Sequence, residues 1–170
     1  MKIFKLNEGA QLPEFATEGS ACFDVRACFE LGTKFRAFNP HNREIELPVK
    51  ENAAGEAVFQ VPPQFRVLVP TGLIFNIPNN HVLKMYIRSS MAFKSGLFLA
   101  NSVAIIDSDY VDETFILIYN SNDTPVTIKS GDRIAQGQLE KVGSYPLEEA
   151  KYRPSKKTDR EGGVGSTGTE

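Results

Sequence analysis

The chain has 170 residues, 41% hydrophobic and 24% charged, enough for one buried core and short for two. Its formal charge of −2 supplies no field for a nucleic-acid backbone, and its basic run, Lys156-Lys157 with Arg153 and Arg160, lies in a polar tail, so a DNA-binding or RNA-binding footprint is not expected. No apolar leader follows Met1-Lys2 and no run approaches the roughly 18 apolar residues of a membrane span, so we expect a soluble, cytoplasmic protein with no membrane partner.

Cys22 and Cys28 stand close together, far in sequence from either histidine, which does not make a zinc site; they read as free thiols. Further along, short apolar stretches rich in Val, Ile, Phe and Tyr alternate with Pro, Gly, Asn and Asp, the pattern of an all-β chain. The expected strands are Phe65–Pro70, Gly72–Ile77, Leu83–Ile87, Leu97–Ala100, Ala104–Ile106, Thr114–Tyr119, Val126–Ile128 and Arg133–Leu139. Turns fall at Pro78-Asn79-Asn80, Asn120-Ser121-Asn122-Asp123 and Ser130-Gly131-Asp132. One short helix is expected over Ser89–Ser95, capped by Ser89, with its first N–H groups open to an anion.

The segment Asn101 to Tyr110, Asn-Ser-Val-Ala-Ile-Ile-Asp-Ser-Asp-Tyr, sets an amide, two carboxylates and a phenol around a strand whose Ile105-Ile106 pair reads as core. Asp107 would leave that strand toward a pocket, where a carboxylate can serve as general base; the plainer reading is an Asp-rich turn. From Lys156 the composition becomes polar and Gly-rich, ending Gly162-Gly163-Val164-Gly165-Ser166-Thr167-Gly168, a stretch expected to be disordered alone yet able to wrap closely around phosphate oxygens. Residues 1–155 are therefore read as a single β domain and 156–170 as a flexible arm.

Five segments in order resemble the trimeric deoxyuridine triphosphate nucleotidohydrolase (dUTPase) family: Ala21-Cys22-Phe23-Asp24-Val25; Ile87-Arg88-Ser89-Ser90; Asn101 to Tyr110; Gly131-Asp132-Arg133-Ile134-Ala135-Gln136; and Arg160 through Gly168. The resemblance implies a jelly-roll-like β-barrel or sandwich, assembled as a homotrimer with active sites shared between chains. It further implies attack of water, activated by Asp107, on the α-phosphorus of dUTP, giving dUMP and pyrophosphate with Mg²⁺. Asn101 would read the uracil and Tyr110 would pack beneath the deoxyribose. Ser89, Ser90 and Gln136 would hold α- and β-phosphate oxygens, while Arg160, Ser166 and Thr167 would close over the γ-phosphate. Arg88 divides evenly between touching phosphate and anchoring its loop on a carboxylate; Asp109 and Arg133 read as scaffold. No protein side chain is expected to ligate the metal directly, and Asp24 is expected behind it, acting through water.

The chain also departs from that family's pattern. Val164 replaces an aromatic that usually stacks on the base, and one residue is missing between Arg160 and Gly162-Gly163. Cys22 takes the place of a small glycine in the first segment. Ser102 and Ala104 stand where glycine is common, Val111-Asp112 replaces Arg-Gly, and Gly137-Gln138 replaces two apolar residues, which should weaken that strand. The connection from Thr33 to Gln64 is far longer than usual and carries Phe35, Phe38, Ile45, Leu47, Val58 and Phe59, enough for an extra hairpin over 34–64 that would bind an unknown partner or extend the trimer interface. Two rivals remain: a binding or regulatory protein on the same scaffold, and a dCTP deaminase, whose catalytic glutamate would fall on Leu117, where this chain has no carboxylate.

Overall fold

A computed structural model describes residues 1–159. The elements are β1 (Lys2–Lys5), β2 (Glu14–Phe15), β3 (Phe23–Arg26), β4 (Lys34–Phe38), β5 (Glu44–Pro48), β6 (Lys50–Glu51), β7 (Ala57–Val61), β8 (Arg66–Pro70), β9 (Leu73–Asn76), β10 (His81–Ile87), α1 (Ser89–Ser95), β11 (Leu97–Leu99), β12 (Ala104–Ile106), β13 (Phe115–Asn120), β14 (Val126–Lys129) and β15 (Arg133–Lys141). Two antiparallel sheets of five strands, ordered β12-β10-β15-β3-β2 and β11-β13-β8-β4-β5, carry the body. A three-stranded sheet, β14-β7-β6, and the β1-β9 pair complete it. This is the all-β, jelly-roll-like architecture expected, with open strand orders.

Alternation builds the sheets: in β13 Ile116 and Ile118 point inward and are fully buried while Phe115 and Tyr119 face out, as the two-residue period of a strand requires. The eight expected strands appear with ends shifted by at most a few residues. The expectation missed β1, β2 and β3. β1 and β2 are short and mostly exposed, so pairing with β9 and β3 defines them more than any apolar pattern of their own.

The segment 34–64 forms two hairpins, and they are built into the body. β4 pairs with β8 as well as β5, and β7 pairs with β14. Phe35 and Phe59 are among the most buried side chains, their rings 4.2 Å apart, with Phe29 edge-on to Phe35 at 5.0 Å. Phe38 stays at the surface beneath the Arg66 guanidinium, 5.4 Å away. Asparagines shape both turns: Asn39 Oδ1 accepts from the N–H groups of His41 and Arg43, and Asn52 Oδ1 from those of Ala54 and Glu56.

Two expectations are corrected. Only Ile106 of the isoleucine pair is core, at 8% exposed; Ile105 is 55% exposed because neighbours on a strand face opposite ways. Ser89 does not cap α1: Arg88 holds the N-cap position in extended backbone without a side-chain cap bond, and Ser89 is the first helical residue. Gly137 is expected to weaken its strand; β15 runs unbroken through it for nine residues. A side chain there would collide instead: a Cβ on Gly137 would lie 2.5 Å from the Phe23 ring and 2.9 Å from Met85 Sδ.

Candidate active site

β12 brings the first group of residues together. It pairs with β10, Leu83 opposite Ile106 and Met85 opposite Ala104, so the chain leaves the buried Ile106 directly into Asp107, which is exposed. A turn closed by the Tyr110 N–H on the Asp107 carbonyl, 3.2 Å, then returns the chain over the same region. The Tyr110 hydroxyl donates to the Glu113 carbonyl at 2.7 Å, which fixes its ring. Burial first, then the charges of Asp112 and Glu113, raise the pKa of that phenol, so Tyr110 keeps its proton at neutral pH.

Asn101 enters from the other side, after β11. The Val103 N–H bonds the Asn101 carbonyl at 2.7 Å, and Ser102 takes the left-handed conformation with φ 62. That backbone explains why glycine is common at this place in the resembled family: a Cβ there is tolerated at a cost of about 1–2 kcal/mol.

Asn101, Asp107 and Tyr110 line one cleft of about 690 Å³. Leu68, Pro70, Phe115 and Leu117 give it an apolar floor from β8 and β13, and Thr33, Lys34 and Arg36 form a further wall from the start of the long insertion. Glu113 also lines it, its carboxylate accepting the Gly72 N–H at 2.7 Å. Leu117 therefore presents hydrocarbon where a deaminase reading needs a carboxylate. Asp107 and Asp109 also border a second cleft of about 760 Å³ with His81, Lys84 and Ser144. Asp107 is thus reachable from two sides.

A second group forms around β3. The Asp24 carboxylate, largely buried, receives Arg88 Nε at 2.8 Å on one oxygen and an Arg133 guanidinium nitrogen at 3.0 Å on the other. Asp24 is accordingly an anchor for two arginines, and Arg88 is held as a loop anchor. Gln136 lies opposite both Asp24 and Tyr86 in the sheet, and its amide donates to the Ile87 carbonyl at 3.3 Å. Ser89 and Ser90 follow at the start of α1, where the N–H groups of Met91 and Ala92 already bond the Arg88 carbonyl. Arg88, Ser89, Ser90 and Gln136 line neither cleft.

Arg160, Ser166 and Thr167 lie outside the described residues, as does Val164. Among the described residues no three His, Cys, Asp or Glu side chains gather as a metal site, and no helix is long and apolar enough to cross a membrane. Lys34 and Arg36 were invisible as site residues in the sequence. The alternation Lys-Phe-Arg-Ala-Phe puts both on one strand face, but only the β4–β8 pairing reveals which cleft that face meets.

Known proteins resemble the chain along nearly its whole length. The family model described as dUTPase matches residues 54–168. Deoxyuridine 5'-triphosphate nucleotidohydrolase of Brucella melitensis is 35% identical over 162 residues, 95% of this chain and 87% of the relative. The protein of that name from Caulobacter vibrioides is 31% identical over 168 residues, 98% and 92% of the two chains. Among solved structures, a mutant form of the dUTPase of Staphylococcus bacteriophage 80alpha with dUpNHpp superposes with a TM-score of 0.73 at 19% identity, covering 98% of this chain and 97% of that one.

Proposed function

Since the chain belongs to the dUTPase family, we propose that it is a dUTP diphosphatase, splitting dUTP into dUMP and pyrophosphate. In a cell this would keep uracil out of DNA and supply dUMP for thymidylate synthesis. The observation that carries the reading is the meeting of Asn101, Asp107 and Tyr110 on one cleft.

In this reading the Asn101 amide meets the edge of uracil, since one side chain offers both an acceptor and a donor. The Tyr110 ring packs beneath the deoxyribose and fills the space a ribose 2′-hydroxyl would need. Asp107 takes a proton from water as its oxygen attacks the α-phosphorus; the bond to the bridging oxygen breaks and pyrophosphate leaves with that oxygen. Such a reaction needs alignment and charge neutralisation, and no nucleophile from the protein. Mg²⁺, carried on substrate oxygens and water, would supply charge neutralisation at the phosphates. Asp24, engaged with two arginines, then acts on the phosphate loop by holding Arg88 and Arg133.

The proposed phosphate-binding set of Ser89, Ser90 and Gln136, with Arg88 as anchor, does not line the Asn101 cleft. That separation supports a homotrimer in which one chain's cleft meets another chain's phosphate loop, with Arg160, Ser166 and Thr167 of an arm closing over the γ-phosphate. The soluble, cytoplasmic setting is part of the same proposal.

The test is hydrolysis of dUTP, dCTP, dTTP and UTP in parallel with Mg²⁺, by the full chain and by a chain ended at Pro154. Consumption of dUTP alone is expected, with turnover in the shortened, still trimeric chain lower by at least about a hundredfold, the cost of losing one charge-stabilising donor. Silence on all four nucleotides would instead favour a binding protein on this scaffold, and full turnover without the arm would remove Arg160, Ser166 and Thr167 from the site.

A further inference from the structure

The cleft that holds Asn101 and Asp107 has a wall that the five shared segments do not account for. Thr33, Lys34 and Arg36 belong to the start of the long insertion, and they line this cleft because β4 adds to the edge of β8, whose other neighbour is β13. Ala37 pairs with Val67 in that register, so Arg36 stands one residue before it, alongside the floor residue Leu68. Leu68 in turn pairs with Leu117. Two strand spacings, about 10 Å, therefore separate the Arg36 backbone from that of Leu117, a span that a nucleotide and a long side chain together can bridge.

Charge gives this wall a purpose. The ionisable side chains lining the cleft are Asp107 and Glu113 on one side of the balance and Lys34 and Arg36 on the other, apart from the phenol of Tyr110, which keeps its proton. Without the inserted hairpin, two carboxylates would face a polyanionic triphosphate with no cation of this cleft to offset them. The two cations are also positioned. Arg36 bonds Glu44 at 2.8 Å and Lys34 meets Glu46 at 3.4 Å, both across the β4–β5 hairpin. These pairs are exposed, and exposed pairs are weak enough for an incoming phosphate to compete for the cations while the carboxylates keep the side chains extended along the wall.

We propose that Lys34 and Arg36 of the inserted hairpin are substrate-binding residues that contact the phosphate oxygens of the nucleoside triphosphate. This rests on the dUTPase reading of the cleft, and gives the insertion a role within its own chain. A combined Lys34→Ala and Arg36→Ala variant should raise both KM for dUTP and the dissociation constant of a non-hydrolysable α,β-imido dUTP analogue with Mg²⁺ by about fivefold or more, as expected for two exposed charge contacts. Affinity for dUMP should change less, and the salt dependence of analogue binding should flatten. A Glu44→Gln and Glu46→Gln variant frees both cations and should lower KM.

Melting temperature and mass of the assembly, recorded for each variant, separate binding from loss of the fold. Unchanged analogue affinity in the folded double alanine variant, beside a wild-type chain that hydrolyses dUTP, would overturn this inference alone and return the hairpin to a partner or interface role. A wild-type chain that neither binds the analogue nor hydrolyses dUTP would overturn the dUTPase reading and this inference with it.

Discussion

Replacing Asp107 by Asn is expected to lower kcat on dUTP by about a thousandfold while KM moves by less than about threefold, since a positioned general base contributes about 10²–10⁴. The amide keeps the size and most of the hydrogen bonding of the carboxylate but cannot take the proton from water. The surrounding backbone argues that geometry survives the change: the β12 pairing with β10 and the Tyr110 N–H bond to the Asp107 carbonyl do not involve the substituted group. If Asp107 were only the first residue of an Asp-rich turn, the loss would appear in melting temperature and leave kcat nearly intact. Steady-state kinetics with a parallel thermal melt decides between the two.

Gly137→Ala is expected to destabilise the fold by about 1–3 kcal/mol, the usual penalty for forcing a methyl group into a packed core. A Cβ at this position would lie 2.5 Å and 2.7 Å from two carbons of the Phe23 ring and 2.9 Å from Met85 Sδ. Neither neighbour has room to retreat. Phe23 is buried with Phe75 stacked at 6.2 Å and Phe15 edge-on at 5.8 Å, and Met85 is fully buried. Phe23 also adjoins Asp24, the anchor of Arg88 and Arg133, so a displaced ring would disturb the placement of both arginines too. A thermal melt of the variant should show a midpoint lower by about 3–10 °C, and Phe23→Leu in the same chain should restore part of it. An unchanged midpoint would mean that the sheet relaxes there freely.

Both residues illustrate what the sequence did and did not disclose. β12 and β13 were legible because alternation in Ala104–Ile106 and Phe115–Asn120 is a local signal. The exposure of Ile105 was lost in the same stretch, since two adjacent isoleucines look alike until a strand assigns them opposite faces. Gly137 carried no local warning: its need for a bare Cα comes from Phe23, more than a hundred residues earlier, arriving through the β15–β3 pairing. Asp24 is expected near the site from its motif, yet its two arginine partners only meet it across three strands. Lys34 and Arg36 were unreadable as cleft residues for the same reason. The identity of the proposed reacting groups is written locally in the motif around Asp107, whereas the company each group keeps is decided by long-range strand pairing.

A single turnover of dUTP in H₂¹⁸O, with the products resolved by mass, tests the central claim most directly. Water activated by Asp107 and attacking the α-phosphorus places one heavy oxygen in dUMP and none in pyrophosphate. Heavy oxygen in the pyrophosphate, or dUMP that forms without it, would contradict that chemistry.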